Sequence, residues 1–297
     1  MGNGKSFIED IPNDESRTPF MELIDAKPSS SYDPSEVQRE LSNPNSQRIY
    51  DLCAPFVDVN GDACYSLAEY YKKTNQLTEA SKYYLMGTNL KDTRCYLQLA
   101  RIYSPNNSPA AIEWYQKYLY TEKNPESDTY KELAALYFNQ LLKSSTDDHK
   151  ELFSNLSSQH YEKYLSAKKY YDQPVDIESD IIKNLGKCYE LTNIQRAYDL
   201  YALAYEDGIP DILPSLTALS DKLFYPKSDD LLKWKILAVE NNLKHSKYNL
   251  ACIFKARSEY DKAKQLAQVA EREYLLDQAY SDVKKCQHFL AMLILNE

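Results

Sequence analysis

From about residue 46 onward, apolar positions recur three and four residues apart, the spacing of one helix face, and the arrangement itself repeats. The first copy reads Leu67-Ala68, Tyr71, Ala80, Tyr84 and Gly87, and the second Leu99-Ala100, Tyr103, Ala111, Tyr115 and Tyr118. A third starts at Leu133-Ala134 and Tyr137. A fourth reads Leu185-Gly186, Tyr189, Ala197, Tyr201 and Ala204. A weaker fifth begins near Leu219. The sixth reads Leu250-Ala251, Phe254, Ala263, Ala267 and Ala270. The leading leucines are spaced 32, 34, 52, 34 and 31 residues apart. A small residue lets two helices approach closely, and an aromatic one turn away fills the groove beside the contact. Each copy therefore predicts a helical hairpin whose open face the next hairpin covers.

The interval of 52 has a local cause. His160-Tyr161-Glu162-Lys163-Tyr164-Leu165 mirrors Trp114-Tyr115-Gln116-Lys117-Tyr118-Leu119 of the preceding copy, but arrives late. Residues 139 to 156 are read as a longer connection or an extended helix within one hairpin. The segment from Tyr280 to Leu295 is expected to be a helix capping the end of the array.

The Leu-Ala/Gly, Tyr, Ala, Tyr, Ala spacing over residues 60 to 297 resembles tetratricopeptide repeats and the related Sel1-like repeats. The resemblance implies an all-α fold, a right-handed superhelical solenoid of about six hairpins. It also implies a curved, non-enzymatic scaffold that binds proteins or peptides along the first helices of its hairpins. Fold analogy of this kind implies no reaction.

Composition supports an array without sheets. The chain has 6 Gly and 27 Tyr, few glycines for tight turns and many large packing groups. The six cysteines are scattered without a CxxC pair and are read as reduced thiols in a cytoplasmic protein. No apolar run is long enough to span a bilayer. With 35 Lys+Arg against 44 Asp+Glu, net −9, the chain lacks the positive footprint that nucleic-acid binding needs.

Residues 1 to 45 differ from the repeat domain at 46–297. They hold five prolines, the run Ser29-Ser30-Ser31, and nine acids against four basic residues. They are expected to form a disordered acidic tail. One apolar island, Phe20-Met21-Glu22-Leu23-Ile24, breaks the tail and suits docking on a partner or on this chain's own groove. The first six residues, Met1-Gly2-Asn3-Gly4-Lys5-Ser6, fit an N-myristoylation pattern on Gly2. A single acyl chain attaches weakly and reversibly, so peripheral membrane attachment through Gly2 is the second reading. Gly4-Lys5-Ser6 lacks the upstream strand and glycine of a phosphate loop.

Catalytic and metal motifs are sparse. Asp58, Asn60, Asp62 and Glu69 approximate a calcium loop, but Ala63 stands where glycine is required. Helix-start chemistry explains these residues better, with Asp62 as the cap. The four histidines (His149, His160, His245, His288) show no ligand spacing. No cofactor, metal or catalytic residue is expected.

One constellation remains. Counting −2, +2, +5 and +6 from each motif leucine gives 24 positions, seven basic and three acidic. From these the expected partner groove comprises Tyr65, Lys72, Lys73, Arg101, Lys131, Phe138, Lys183, Lys187, Tyr248 and Lys255. Glu69, Glu190 and Asp221 share the stripe, as does Tyr225. A basic stripe on an acidic protein focuses its field on an acidic ligand, and the aromatic residues would supply apolar anchors.

Overall fold

A computed structural model describes residues 31–42, 48–169 and 177–294. The described residues are helical apart from turns and short connections, without a strand. They form two compact units, divided between Pro125 and Glu126.

In the N-terminal unit, α1 (Pro34–Leu41) and α2 (Arg48–Cys53) precede two full hairpins. These are α3 (Gly61–Lys73) with α4 (Leu77–Asn89), and α5 (Thr93–Tyr103) with α6 (Ser108–Thr121). In the C-terminal unit, α7 (Ser127–Lys143) pairs with α8 (Asp147–Ala167) and α9 (Ser179–Thr192) with α10 (Ile194–Glu206). The pairs α11 (Leu213–Leu223) with α12 (Asp229–Glu240), and α13 (Ser246–Ala256) with α14 (Tyr260–Leu276), complete the six. Helix α15 (Tyr280–Ile294) closes on α14.

Local chemistry sets the helix boundaries. Side chains of Asn60, Asp92, Asn107 and Asn193 accept backbone N–H groups at the starts of α3, α5, α6 and α10. Asn60, not Asp62, is therefore the cap of α3. At the other ends, Asn75, Lys91, Lys169, Asn242, Ser258 and Gln278 adopt positive φ just past α3, α4, α8, α12, α13 and α14, and Gly208 does so past α10. Five of these six non-glycine turns close with the wide backbone bond of a left-handed C-cap, such as Gln76 N to Tyr71 O at 2.8 Å. The glycine shortage thus reflects helix ends built from residues that tolerate the left-handed region at some cost.

The expected hairpin cores are present. Tyr84, Tyr115, Tyr161 and Tyr201, one per hairpin in the first four, are each at most 1% exposed. Each lies on the second helix of its hairpin. Gly186 makes room for one of them, because a Cβ there would sit 2.1 Å from the Tyr201 ring. In the fifth hairpin the equivalent position, counted from Leu219 as Tyr201 is from Leu185, is Lys235. It is 3% exposed.

One expectation is corrected, and one left open between two alternatives is resolved in favour of the extended helix. The tail boundary at residue 45 is too late, because α1 is folded and buries Val37 and Leu41 beside α3. Tyr32 also packs edge-on to Phe56, and Lys73 Nζ donates to the Leu41 carbonyl at 2.9 Å. Residues 1–30 and 43–45 lie outside the described residues. In the third hairpin, residues 139–156 are mainly extensions of α7 and α8 joined by a three-residue turn, not a long loop. Ser154 and Ser157 bury their hydroxyls there by donating to the carbonyls of Cys188 (2.7 Å) and Ala134 (3.0 Å).

Candidate functional site: the first-helix faces

The expected stripe falls on α3 and α5 in the N-terminal unit. Tyr65 is half-buried under the Arg94 guanidinium, 4.5 Å from its ring centre, and burial pushes its phenol up to about 12. Arg94 in turn pairs with Asp62 and Asp92. Lys72 donates to Gln98 Oε1 at 2.7 Å and lies 3.5 Å from Glu69, which also accepts the Tyr84 hydroxyl. Lys73 caps α1 as described, and Arg101 is half-buried on α5. Three of the four residues considered for calcium are thus engaged elsewhere: Asn60 caps α3, Asp62 pairs with Arg94, and Glu69 serves Tyr84 and Lys72.

In the C-terminal unit the stripe runs over α7, α9, α11 and α13. Lys131 pairs with Glu178 at 2.9 Å, which raises its pKa above the ordinary lysine value. Lys183 lies 3.5 Å from Asp211 and 3.9 Å from Asp180. Phe138 is 6% exposed and belongs to the core. It offers no surface to a ligand, which corrects its assignment to the groove. Lys187 on α9 is exposed and has no ion-pair partner among the described residues. One turn along, Leu191 is 57% exposed, and at the matching position after α11 Tyr225 is 86% exposed. On α13, Tyr248 packs edge-on to Phe289 at 5.6 Å, and Lys255 Nζ sits 5.1 Å from the same ring.

The residue that sequence reasoning missed is Lys235. Its Nζ donates to Asp221 Oδ2 at 2.6 Å and to the Thr217 carbonyl at 3.2 Å. Asp221 stands two residues beyond the motif leucine on α11, as Lys187 does on α9, and its side chain is half exposed. The interval from Leu219 carried the signal, since it equals that from Leu185 to Tyr201.

The titratable groups elsewhere are structural. Burial pushes Cys53 up to about 12 and Cys64 and Cys286 up to about 11, which suppresses thiolate reactivity. His160 stacks near Tyr130 and Tyr137, and burial, helped by Lys163, pushes it down to about 4. No described helix is long and apolar enough to cross a membrane.

No protein-family model matches the chain, and no curated protein matches it. Solved structures do match. One is the Naa15/Naa10 complex bound to HypK-THB, with 15% identity and a TM-score of 0.58, covering 86% of this chain and 38% of that one. The chain therefore spans less than two fifths of that protein. Another is the C-terminal part of a tetratricopeptide-repeat protein from Cytophaga hutchinsonii, at 12% identity, covering 88% and 95% of the two chains with a TM-score of 0.44. The Cut9–Hcn1 complex gives 13% identity, 89% and 50% coverage, and a TM-score of 0.35. With its recurring Leu-Ala and buried-Tyr hairpins, this chain has the tetratricopeptide-type helical-repeat fold.

Proposed function

We propose that the chain is a non-catalytic protein-interaction scaffold that binds an acidic, amphipathic segment of another protein on the first-helix face of its C-terminal unit. The observation that carries this reading is the exposed Lys187, without an ion-pair partner among the described residues, beside the exposed Leu191 on α9 and with the exposed Tyr225 just after α11. Exposed apolar side chains beside unneutralised charge are suited to a ligand with apolar anchors and carboxylates. The other basic residues of the stripe contribute less, because Glu178 and Asp211 already meet Lys131 and Lys183. A fluorescein-labelled peptide of alternating Glu and Leu tests the reading. Lys187→Glu should weaken its binding by about tenfold at low salt and flatten the salt dependence. Unchanged binding by a normally folded variant would refute it.

The tail competes for this face in the same reading, because its apolar island Phe20 to Ile24 is flanked by Asp14, Glu15 and Asp25. Deleting residues 1–30, which spares α1, should raise affinity for the Glu/Leu peptide. A second reading rests on the Gly2 hexapeptide, with the scaffold recruited to a cytoplasmic membrane surface by an acyl chain. Glu9, Asp10, Asp14 and Glu15 would be repelled by anionic lipid, so attachment would be reversible. An intact mass from a eukaryotic host that shows unmodified Gly2 or retained Met1 ends this reading.

A further inference from the structure

The fifth hairpin of the C-terminal unit departs from the first four at one buried position, and the departure reaches the first-helix face. Where hairpins one to four bury a tyrosine, hairpin five buries Lys235, with 3% of its side chain exposed. A phenol would hold a carboxylate at this place, as Tyr84 holds Glu69. An ammonium instead carries a desolvation cost that only close partners offset. Those partners are the Thr217 carbonyl behind and Asp221 Oδ2 in front, at 3.2 and 2.6 Å. Asp221 therefore has its position fixed from below. Its half-exposed carboxylate retains acceptor sites beyond the one that Lys235 uses.

The placement of that carboxylate matters. Asp221 lies at the register position of Lys187 on α9 and of Cys252 on α13. A ligand running across α9, α11 and α13 meets an exposed ammonium at Lys187, then this anchored carboxylate, then the ammonium of Lys255. The buried cation lies farther from the ligand than the carboxylate in front of it, so the pair presents its negative end outward.

We infer that Asp221, anchored by Lys235, is a specificity-determining acceptor that takes a cationic side chain of the bound segment between two acidic ones. This rests on the reading of the first-helix face as the ligand site, and it adds a charge order to the ligand. The fitting segment therefore carries an acid, then an Arg or Lys, then a second acid.

The test uses full-length protein and three fluorescein-labelled peptides. Each has Glu at both flanks and Leu between, with Arg, Gln or Glu at the centre. Fluorescence anisotropy should show the Arg peptide binding about tenfold tighter than the Glu peptide. The double variant Asp221→Asn, Lys235→Tyr installs the phenol of the other hairpins and leaves no buried charge. It should remain folded by circular dichroism and bind all three peptides within about twofold of each other. Lys187→Glu should weaken all three peptides while keeping the ratio of Arg to Glu. Equal binding of the Arg and Glu peptides to wild-type protein, with Lys187→Glu still weakening both, overturns this inference alone. A preference that survives in a folded double variant also overturns it. Failure of every peptide to bind overturns this inference together with the scaffold reading on which it rests.

Discussion

Hairpins four and five solve one packing problem with different chemistry. In the fourth, Tyr201 is wholly buried beneath Gly186, and its hydroxyl lies 3.3 Å from both the Lys183 carbonyl and Glu190. In the fifth, Ser220 takes the place of Gly186 and Lys235 that of Tyr201. The Ser220 hydroxyl turns back to the Thr217 carbonyl at 2.8 Å. The ring of hairpin four fills volume and needs a glycine opposite. The slender ammonium of hairpin five needs less space but requires a carboxylate, which draws the first-helix face into the core's hydrogen bonding. Stability in the fourth hairpin therefore depends on shape, and in the fifth on charge.

The largest effect should come from attacking shape. Gly186→Ala places a methyl against the Tyr201 ring and should cost about 3 kcal/mol by urea unfolding, whereas Ser220→Ala should cost less than half as much. Comparable losses at the two sites would remove the distinction. Attacking charge comes next. Asp221→Ala leaves the buried ammonium with only the Thr217 carbonyl and should cost about 2 kcal/mol, with part of the loss recovered when Lys235→Tyr is added. Absence of recovery would mean that Asp221 acts through something other than Lys235.

A third prediction concerns pH. His160 in the third hairpin is held down to about 4 by burial, below its ordinary value of 6.5. The neutral ring suits the fold, so its contribution is whole above pH 6.5 and is lost as pH falls from 6.5 towards 4. At pH 5 the loss should approach 2 kcal/mol, and His160→Phe should remove that part of the acid sensitivity. A wild-type and a variant curve of the same slope between pH 7 and 5 would contradict this. The smallest effect belongs to Lys235→Tyr alone, which should change stability by less than about 1 kcal/mol, because in hairpins one and two a buried tyrosine (Tyr84, Tyr115) coexists with an alanine (Ala68, Ala100) at the position of Ser220.

The repeat architecture was legible because small and aromatic residues recur at fixed intervals that helix pairing demands. Tyr84, Tyr115 and Tyr201 could be assigned to helix contacts from spacing alone. Helix α1 was not legible: it is short, begins with a proline and sits in a charged stretch. Its stability comes from tertiary contacts, with Val37 and Leu41 buried, α3 and α2 packed against it, and Arg48 of α2 paired with Glu36 and Glu40. The stripe was legible as positions but not as free charge. Glu178 is 47 residues from Lys131, and Asp211 is 28 from Lys183, separations at which sequence pattern carries no pairing information. Phe138 was misplaced because it joins the core cluster of Tyr161, Tyr164, Leu165 and Ile181, whereas the matching positions of the other hairpins are half-buried. Lys235 was hidden by its residue type, since lysine in a repeat of tyrosines reads as a surface residue until its burial is known.

The central claim is that the first-helix face of the C-terminal unit is the ligand site, and hydrogen–deuterium exchange of full-length protein with the Glu-flanked Leu peptide tests it most directly. The account predicts slowed exchange in α9 between Lys183 and Leu191, and in and just after α11 between Thr217 and Tyr225, with α4 and α6 unchanged. Protection confined to the N-terminal unit, or none at saturating peptide, would contradict it.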